Sequence, residues 1–374
     1  MSSAELRAAA VVDLGAVRRN CVRLADGLSG AARLCVVVKA DGYGHGAVEC
    51  AGAALAGGAS WLAVAAAAEA AEVRAAFPEV PLLTMGALTE AELDITLGAA
   101  SDVAAWRPAH AELAAALGAE RGVRPRVHVK YDSGMGRLGE RDADAVLRLV
   151  ETVAADERLE LVGFWTHFAT ADEPDSGFFA DQLDRFATLV ELVRADHPGV
   201  LVHAANSAAT LRDPAAHFDM VRCGIAVYGL DPFQGDPFEH ELAPALELRS
   251  YVADVKRFAA GDSAGYGQRW RAPVETYVGV LPIGYGDGVR RGLTNNADVL
   301  VGGHRQPLVG TVSMDNVTIE LGPATHVSPG APATLIGAQG EERILCEEVA
   351  RRLETINYEV TCGISRRVPR IYLD

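Results

Sequence analysis

The sequence predicts an α/β protein: an N-terminal (β/α)8, TIM-like barrel followed by a mostly antiparallel β domain. Three observations predict it. Between residues 33 and about 223, eight short β-rich runs alternate with longer helical ones. No GxGxxG follows the first run, which removes the main cue for an open dinucleotide-binding sheet. After about residue 238 the texture changes to short β-branched segments with glycine-containing turns.

The strands expected in order are RLCVVVK (33–39), SWLAVA (60–65), VPLLTMG (80–86), SDVAAW (101–106), RVHVKYD (126–132), LELVGFWT (159–166), VLVHAAN (200–206) and FDMVRCG (218–224). Between them, stretches such as RDADAVLRLVETVAAD and QLDRFATLVELVRADH repeat apolar residues at helical spacing and end at Pro or Gly. The barrel is expected over 12–238. The β domain is expected over 239–374, joined by an N-terminal strand within 1–11, because AAAVVDL (8–14) is strand-like and precedes the first helix.

The 374 residues carry 34 basic and 50 acidic side chains, a net charge of −16. Binding to nucleic acid or anionic membranes needs a basic surface, so both classes are disfavoured. No run approaches the ~20 apolar residues that span a bilayer. The N-terminus carries charges where a signal peptide would be apolar, so a cytoplasmic location is expected. Six scattered cysteines without a CxxC pair read as buried free thiols rather than disulfides or a metal site.

Only three of the basic residues are lysine: Lys39, Lys130 and Lys256. Lysine can lose its proton and form a Schiff base, and arginine cannot. In a barrel of this kind active sites gather at the C-terminal ends of the strands. Those positions carry Lys39, Lys130, His167, Asn206, Ser207, Arg222 and Gly224. By strand alternation Lys39 shares a face with Val37 and Cys35, an apolar setting that favours a neutral amine. On the fifth strand His128, Lys130 and Asp132 share one face, so a Lys130–Asp132 ion pair is open. Ser207 reads either as a phosphate ligand, with the Gly224 and Ile225 amides, or as the N-cap of the helix SAATLRD. Arg222 reads as a donor to a bound ring or as a rim ion pair with an acid. Lys256 lies in no such position and reads as structural.

The segment VVKADGYGHG closely resembles the pyridoxal-phosphate signature of bacterial alanine racemases. The resemblance continues in order through HVKYDSGMGRLG, GFWTHFATADE, HAANSAAT, MVRCGIAVYGL, GYG, PIGYGDG, VGTVSMD and INYEVTCGISRRVPR, over essentially the whole chain. It implies the same barrel plus β domain and the interconversion of L- and D-alanine by two bases, supplying D-alanine for peptidoglycan. Pyridoxal 5′-phosphate is the implied cofactor, carried by Lys39. Tyr43, His167, Asn206, Ser207, Arg222, Gly224, Ile225 and Tyr358 are implied to surround it.

The second base is implied to be Tyr266, reaching the site from the other subunit of a homodimer. A free phenol has a pKa of ~10, so nearby cations must favour the phenolate. Arg137 is implied to bind the substrate carboxylate, with the partner subunit's Met314 nearby. Lys130 occupies the position that many members carbamylate, giving N6-carboxylysine. Asp172, Tyr285 and Asp315 are implied to line the entry and the subunit contact. Phe164, Trp165 and Arg366 are loop positions where the family varies. Broader-specificity racemases are disfavoured by the retained Lys130. Basic-amino-acid decarboxylases are disfavoured by Arg222, where they carry an acid. Small pyridoxal-phosphate-binding regulatory proteins lack the β domain.

Overall fold

The barrel strands form from short runs rich in buried Val, Leu and Ala, as expected where helices cover a parallel sheet, with a few polar side chains buried among them. They are β2 (Arg33–Val37), β3 (Trp61–Val64), β4 (Leu82–Thr84), β5 (Asp102–Ala105), β6 (Arg126–Lys130), β7 (Glu160–Trp165), β8 (Leu201–His203) and β9 (Met220–Cys223). The computed structural model describes residues 6–374. In it β2 to β9 pair in parallel and close into a barrel, with β9 returning to β2 through Leu34↔Val221 and Cys35↔Arg222.

The covering helices follow from amphipathic spacing and local caps. In Ala143–Ala155 the buried residues are Val146, Leu149, Val150 and Val153, and the Asp142 carboxylate accepts the Ala145 N–H at 2.7 Å. In Glu90–Gly98, Thr89 and Glu92 form a reciprocal capping box. In Phe178–Asp196 one face buries Phe179, Phe186, Leu189 and Val193. Each such side chain contributes about 1.5–3 kcal/mol by leaving water. No helix among the described residues is long and apolar enough to cross a membrane.

Contacts divide the chain into two compact units: residues 17–42 with 47–227, which contain the barrel, and residues up to 16 with 43–46 and 228–374. In the second unit β1 (Ala8–Asp13) pairs antiparallel with β10 (Leu246–Tyr251) and parallel with the last strand, Arg370–Leu373. Residues 1–5 of the expected N-terminal strand segment 1–11 lie outside the described residues. From β10 the sheet continues through strands 332–339, 298–301, 304–309, 317–322 and 276–281 to 254–258, all antiparallel neighbours. Residues 246–258 do not form one strand: β10 ends at Tyr251, and residues 254–258 form the far edge of the sheet. Two short helices, Cys346–Arg352 and Asn357–Cys362, interrupt this otherwise β-rich unit.

Candidate active site

Lys39 does not continue the first barrel strand. β2 ends at Val37, and Lys39 opens a left-handed turn in which Ala40, Asp41, Gly42 and Tyr43 have φ of 52°, 55°, 60° and 53°. For non-glycine residues this region costs roughly 1–2 kcal/mol each, so the turn needs external support. It has that support from three sides. The Gly42 N–H donates to the Val38 carbonyl at 2.9 Å, and the Asp41 carboxylate accepts the Ala47 N–H at 3.0 Å. Glu69 accepts the Ala40 N–H through Oε1 at 2.7 Å and those of Ala65 and Ala66 through Oε2. Strand alternation with Cys35 and Val37 therefore does not set the lysine's direction; this turn does.

Arg222, buried at 3% exposure, has no acid among its partners, which removes the rim ion-pair reading. Nη1 donates to His203 Nδ1 at 2.9 Å, and Nη2 donates to the carbonyls of Thr166 and Ala204, both at 2.9 Å, with His167 Nδ1 at 3.3 Å. Nε–H and one Nη1–H remain without a protein acceptor among the described residues. Burial lowers this guanidinium to about 10.

Lys130, at the end of β6, is 3% exposed and sits 4.2 Å from the centroid of the Trp165 ring. Burial, and then Arg222 and Arg137, lower its amine to about 7. The Lys130–Asp132 ion pair is absent, because Asp132 turns its carboxylate to the Gly134 and Gly136 amides at 3.0–3.1 Å. That contact shapes the loop carrying Arg137, whose exposed guanidinium hydrogen-bonds to no described residue. His167 is pushed well below the usual imidazole range by burial and then by Arg222, Lys130, Arg137 and Lys39. Thus the sequence-expected residues Lys39, Lys130, Arg137, His167 and Arg222 share one electropositive neighbourhood, with Asp132 as the acid opposing it.

Ser207 is not a helix cap. Asn206 caps that short helix by accepting the Ala209 N–H at 3.0 Å, and the buried Ser207 hydroxyl accepts the N–H groups of Gly224 at 3.1 Å and Ala226 at 3.3 Å. The segments that follow β8 and β9 are thereby tied together through the Gly224 and Ala226 amides, which flank Ile225.

Of the other expected site residues, Asp172 is exposed in a turn of the barrel unit, and the rest lie in the other unit. Tyr43 packs on Tyr228 and Tyr358, with ring centroids 5.2 and 6.0 Å apart. Gly44 follows with φ 85°, and a Cβ there would lie 2.2 Å from the Thr361 carbonyl, so only glycine fits. Tyr266 stands in a short turn between Gly265 and Gly267 and is 75% exposed; its carbonyl accepts the Thr311 hydroxyl at 2.6 Å. Met314 is half exposed, as is Tyr285. Asp315 pairs with Arg367, and Lys256 pairs with Asp254 at 3.2 Å on the surface. Five cysteines are buried as expected, but Cys362 is exposed.

Three residues escaped the sequence reading. Glu69 lies on a helix where an acid looks like solvent-facing charge, and nothing local signals that it clamps the Lys39 turn. Phe164 and Trp165 are not loop residues; they end β7 at 0% and 2% exposure. The Trp165 ring stacks on His203 at 5.5 Å and lies under both Arg222 and Lys130.

Comparison with known proteins gives one answer throughout. Residues 12–232 match the family described as alanine racemase, N-terminal domain, and residues 245–372 match its C-terminal domain. The chain is 43% identical to the alanine racemase of Symbiobacterium thermophilum, over 97% of this chain and 96% of that one. It is 42% identical to that of Geobacillus stearothermophilus, over 97% and 92%. Among solved structures, the alanine racemase of Streptomyces coelicolor superposes with a TM-score of 0.94 at 37% identity, covering 100% of this chain and 99% of that one. That of Bacillus anthracis with bound L-Ala-P superposes at 0.90 with 36% identity, covering 98% and 95%.

Proposed function

The chain belongs to the alanine racemase family, isomerases that interconvert L- and D-alanine and so supply D-alanine for peptidoglycan, and we propose that it does this with pyridoxal phosphate carried by Lys39, as a cytoplasmic homodimer. The observation that carries the cofactor reading is the set of cations at the barrel mouth. Lys39, Lys130, Arg137 and Arg222 crowd together against Asp132, and Arg222 keeps two N–H groups without protein acceptors. An anionic cofactor with a ring nitrogen, together with a substrate carboxylate, matches that surplus of charge and donors. When bound, the cofactor withdraws electrons from the substrate's α-carbon and lowers the cost of removing its proton.

The chain's own residues divide the remaining work. The barrel, 12–238, holds the cofactor; the β domain, 239–374 with the strand in 1–11, supplies the second base. Ser207, Gly224 and Ile225, with Tyr43 and Tyr358, hold the phosphate, and Asn206 fixes the turn that presents Ser207. Arg222 faces the ring nitrogen. A guanidinium donates but does not give up its proton, so Arg222 would offer that nitrogen a hydrogen bond without protonating it. Arg137 binds the substrate carboxylate beside the partner subunit's Met314. Lys39 and Tyr266 exchange the α-proton on opposite faces, which is the most direct way to invert a centre. Arg222 supplies the positive charge of the network proposed to serve Tyr266, and His167, a neutral imidazole beside it at 3.3 Å, contributes hydrogen bonding rather than charge.

Lys130 is carbamylated in this reading. A buried amine lowered to about 7 is substantially neutral at physiological pH, as attack on carbon dioxide requires. The nitrogen lone pair forms the new C–N bond and a proton leaves to water. The resulting carbamate is an anion among Arg137, Arg222 and Lys39, where an ammonium is repelled.

The test follows L-alanine with the purified chain and pyridoxal phosphate in deuterated water. Loss of the α-proton signal by NMR and loss of optical activity are expected together. Exchange with retained optical activity would leave one working base and remove Tyr266 from the scheme. No exchange would overturn alanine as the substrate.

A further inference from the structure

The barrel interior holds a file of polar side chains running from its far end to the site. Asp102 begins β5 at the N-terminal rim and is 4% exposed. Its Oδ2 lies 3.0 Å from His128 Nε2, His128 Nδ1 lies 2.8 Å from His203 Nε2, and His203 Nδ1 lies 2.9 Å from Arg222 Nη1. Both imidazoles are fully buried.

The two ends dictate every hydrogen between them. A guanidinium only donates, so His203 Nδ1 must accept and its hydrogen sits on Nε2. That hydrogen is donated to His128 Nδ1, which places the second imidazole's hydrogen on Nε2 as well. The Asp102 carboxylate, an acceptor only, receives it. An imidazolium at His203 is opposed by burial and by the neighbouring Arg222. The other Asp102 oxygen accepts Arg126 Nε at 2.9 Å, from a half-exposed guanidinium that also binds Glu160. The backbone makes room for this file. β6 and β7 shift register between Val127 and His128, and Gly163 lies beside the imidazole where no side chain would fit.

We propose that Asp102 is a positioning residue for the racemase reaction: acting through His128 and His203 from the opposite end of the barrel, it keeps His203 in the tautomer that accepts from Arg222. The guanidinium is thereby held in place. The effect on turnover rests on the reading of Arg222 as the partner of the cofactor ring; the tautomers do not.

The carboxylate matters because it has no donor. In Asp102→Asn the side chain keeps its size, but Arg126 claims the one carbonyl oxygen and the amide NH2 faces His128 Nε2. That nitrogen must then be bare, both imidazoles reverse, and His203 presents Nδ1–H to Arg222 Nη1, donor against donor. Removing Arg126 as well lets the asparagine turn its carbonyl back to His128.

The experiment is NMR of the ring nitrogens in the full-length chain with 15N-labelled histidine, recorded without and with pyridoxal phosphate. Wild type and Arg126→Ala should show Nε2–H at both His128 and His203. Asp102→Asn should show Nδ1–H at both, and the double variant should return to Nε2–H. With the cofactor, kcat for alanine should fall roughly tenfold or more in Asp102→Asn, with KM little changed, and recover in the double variant; a reversed imidazole that is itself catalytic loses ~10⁴. Simple loss of a structural contact would not be rescued by a second truncation. Nδ1–H at either ring of the wild type, or wild-type tautomers in Asp102→Asn, would overturn the file's direction. Reversed tautomers with unchanged kcat would overturn the positioning role. Because the spectra without cofactor report on the file alone, inactivity of the wild type toward alanine would count against the racemase reading and leave the tautomer result standing.

Discussion

Gly163 faces His128 across the β6–β7 pair so closely that a Cβ on it would lie 2.1 Å from Nδ1 of the imidazole. The ring occupies the volume a side chain at 163 would need. Gly163→Ala must therefore displace His128 from His203 or bend a barrel strand, and either costs about 1–3 kcal/mol as overpacking. Denaturant unfolding should show that loss. His128→Ala in the same background removes the clash, so the double variant should cost less than the two single changes added together. Additive losses would mean that the two residues do not compete for space.

How much of this was legible follows from where each signal resides. The barrel strands are visible because each is a short apolar run set off by Gly or Pro, and Lys39 and Lys130 stand out because lysine is scarce in this chain. The turn at Lys39 is hidden because five consecutive positive φ values, from Ala40 to Gly44, include Ala40, Asp41 and Tyr43, residues that do not announce that region. Glu69 and Asp102 are hidden for another reason. Each acts on a residue more than twenty positions away, through contacts that only the pairing of successive barrel strands creates. Trp165 falls inside the expected strand 159–166, and its burial under Arg222 and Lys130 at the end of β7 overturns the loop position that the resemblance implied. For Ser207 the sequence leaves phosphate ligand and helix cap both open, because a serine at the start of SAATLRD suits either; the capping by Asn206 and the contact with Gly224 remove the cap.

Glu69 makes the Lys39 turn testable without touching the lysine. Its carboxylate serves three backbone amides, one of them on Ala40, directly after Lys39. Glu69→Ala removes charge-assisted hydrogen bonds of about 1.5–3 kcal/mol in stability. Because the lost bonds anchor a left-handed turn, the chain should also bind pyridoxal phosphate more weakly. A titration of visible absorbance against cofactor concentration should shift to higher concentration by tenfold or so, the equivalent of about 1.4 kcal/mol. An unshifted titration alongside lowered stability would confine Glu69 to a fold-supporting role.

Lys130 carries a pH signature whose sign is fixed. In the folded chain without carbon dioxide its amine is lowered to about 7, whereas an unfolded lysine titrates near its ordinary ~10.4. Between those values the unfolded state binds the extra proton, so stability rises with pH across that window. Lys130→Met should flatten the rise. Denaturant midpoints at about pH 7 and pH 9 in carbon-dioxide-free buffer compare the two chains directly. Bicarbonate should stabilise the wild type alone, with an intact-mass increase of one carbon dioxide lost on acidification. An identical pH slope in Lys130→Met would contradict the lowered amine.

Tyr266 offers the clearest separation of chemistry from folding. Its ring is 75% exposed, so Tyr266→Phe removes one hydroxyl without opening a cavity, and the thermal midpoint should be unchanged. Removing a general base typically costs 10²–10⁴ in rate. Since the two enantiomers have equal free energy, kcat/KM must fall by the same factor in both directions, and overall rates cannot say which face Tyr266 serves. Proton exchange can. With Lys39 intact, D-alanine should still exchange its α-proton with deuterated water and keep its configuration, while L-alanine should neither exchange nor invert. Single-turnover deuterium isotope effects should grow for L-alanine more than for D-alanine. Small, equal effects on the two enantiomers would mean that the proton on the L face is taken by a group other than the Tyr266 phenol.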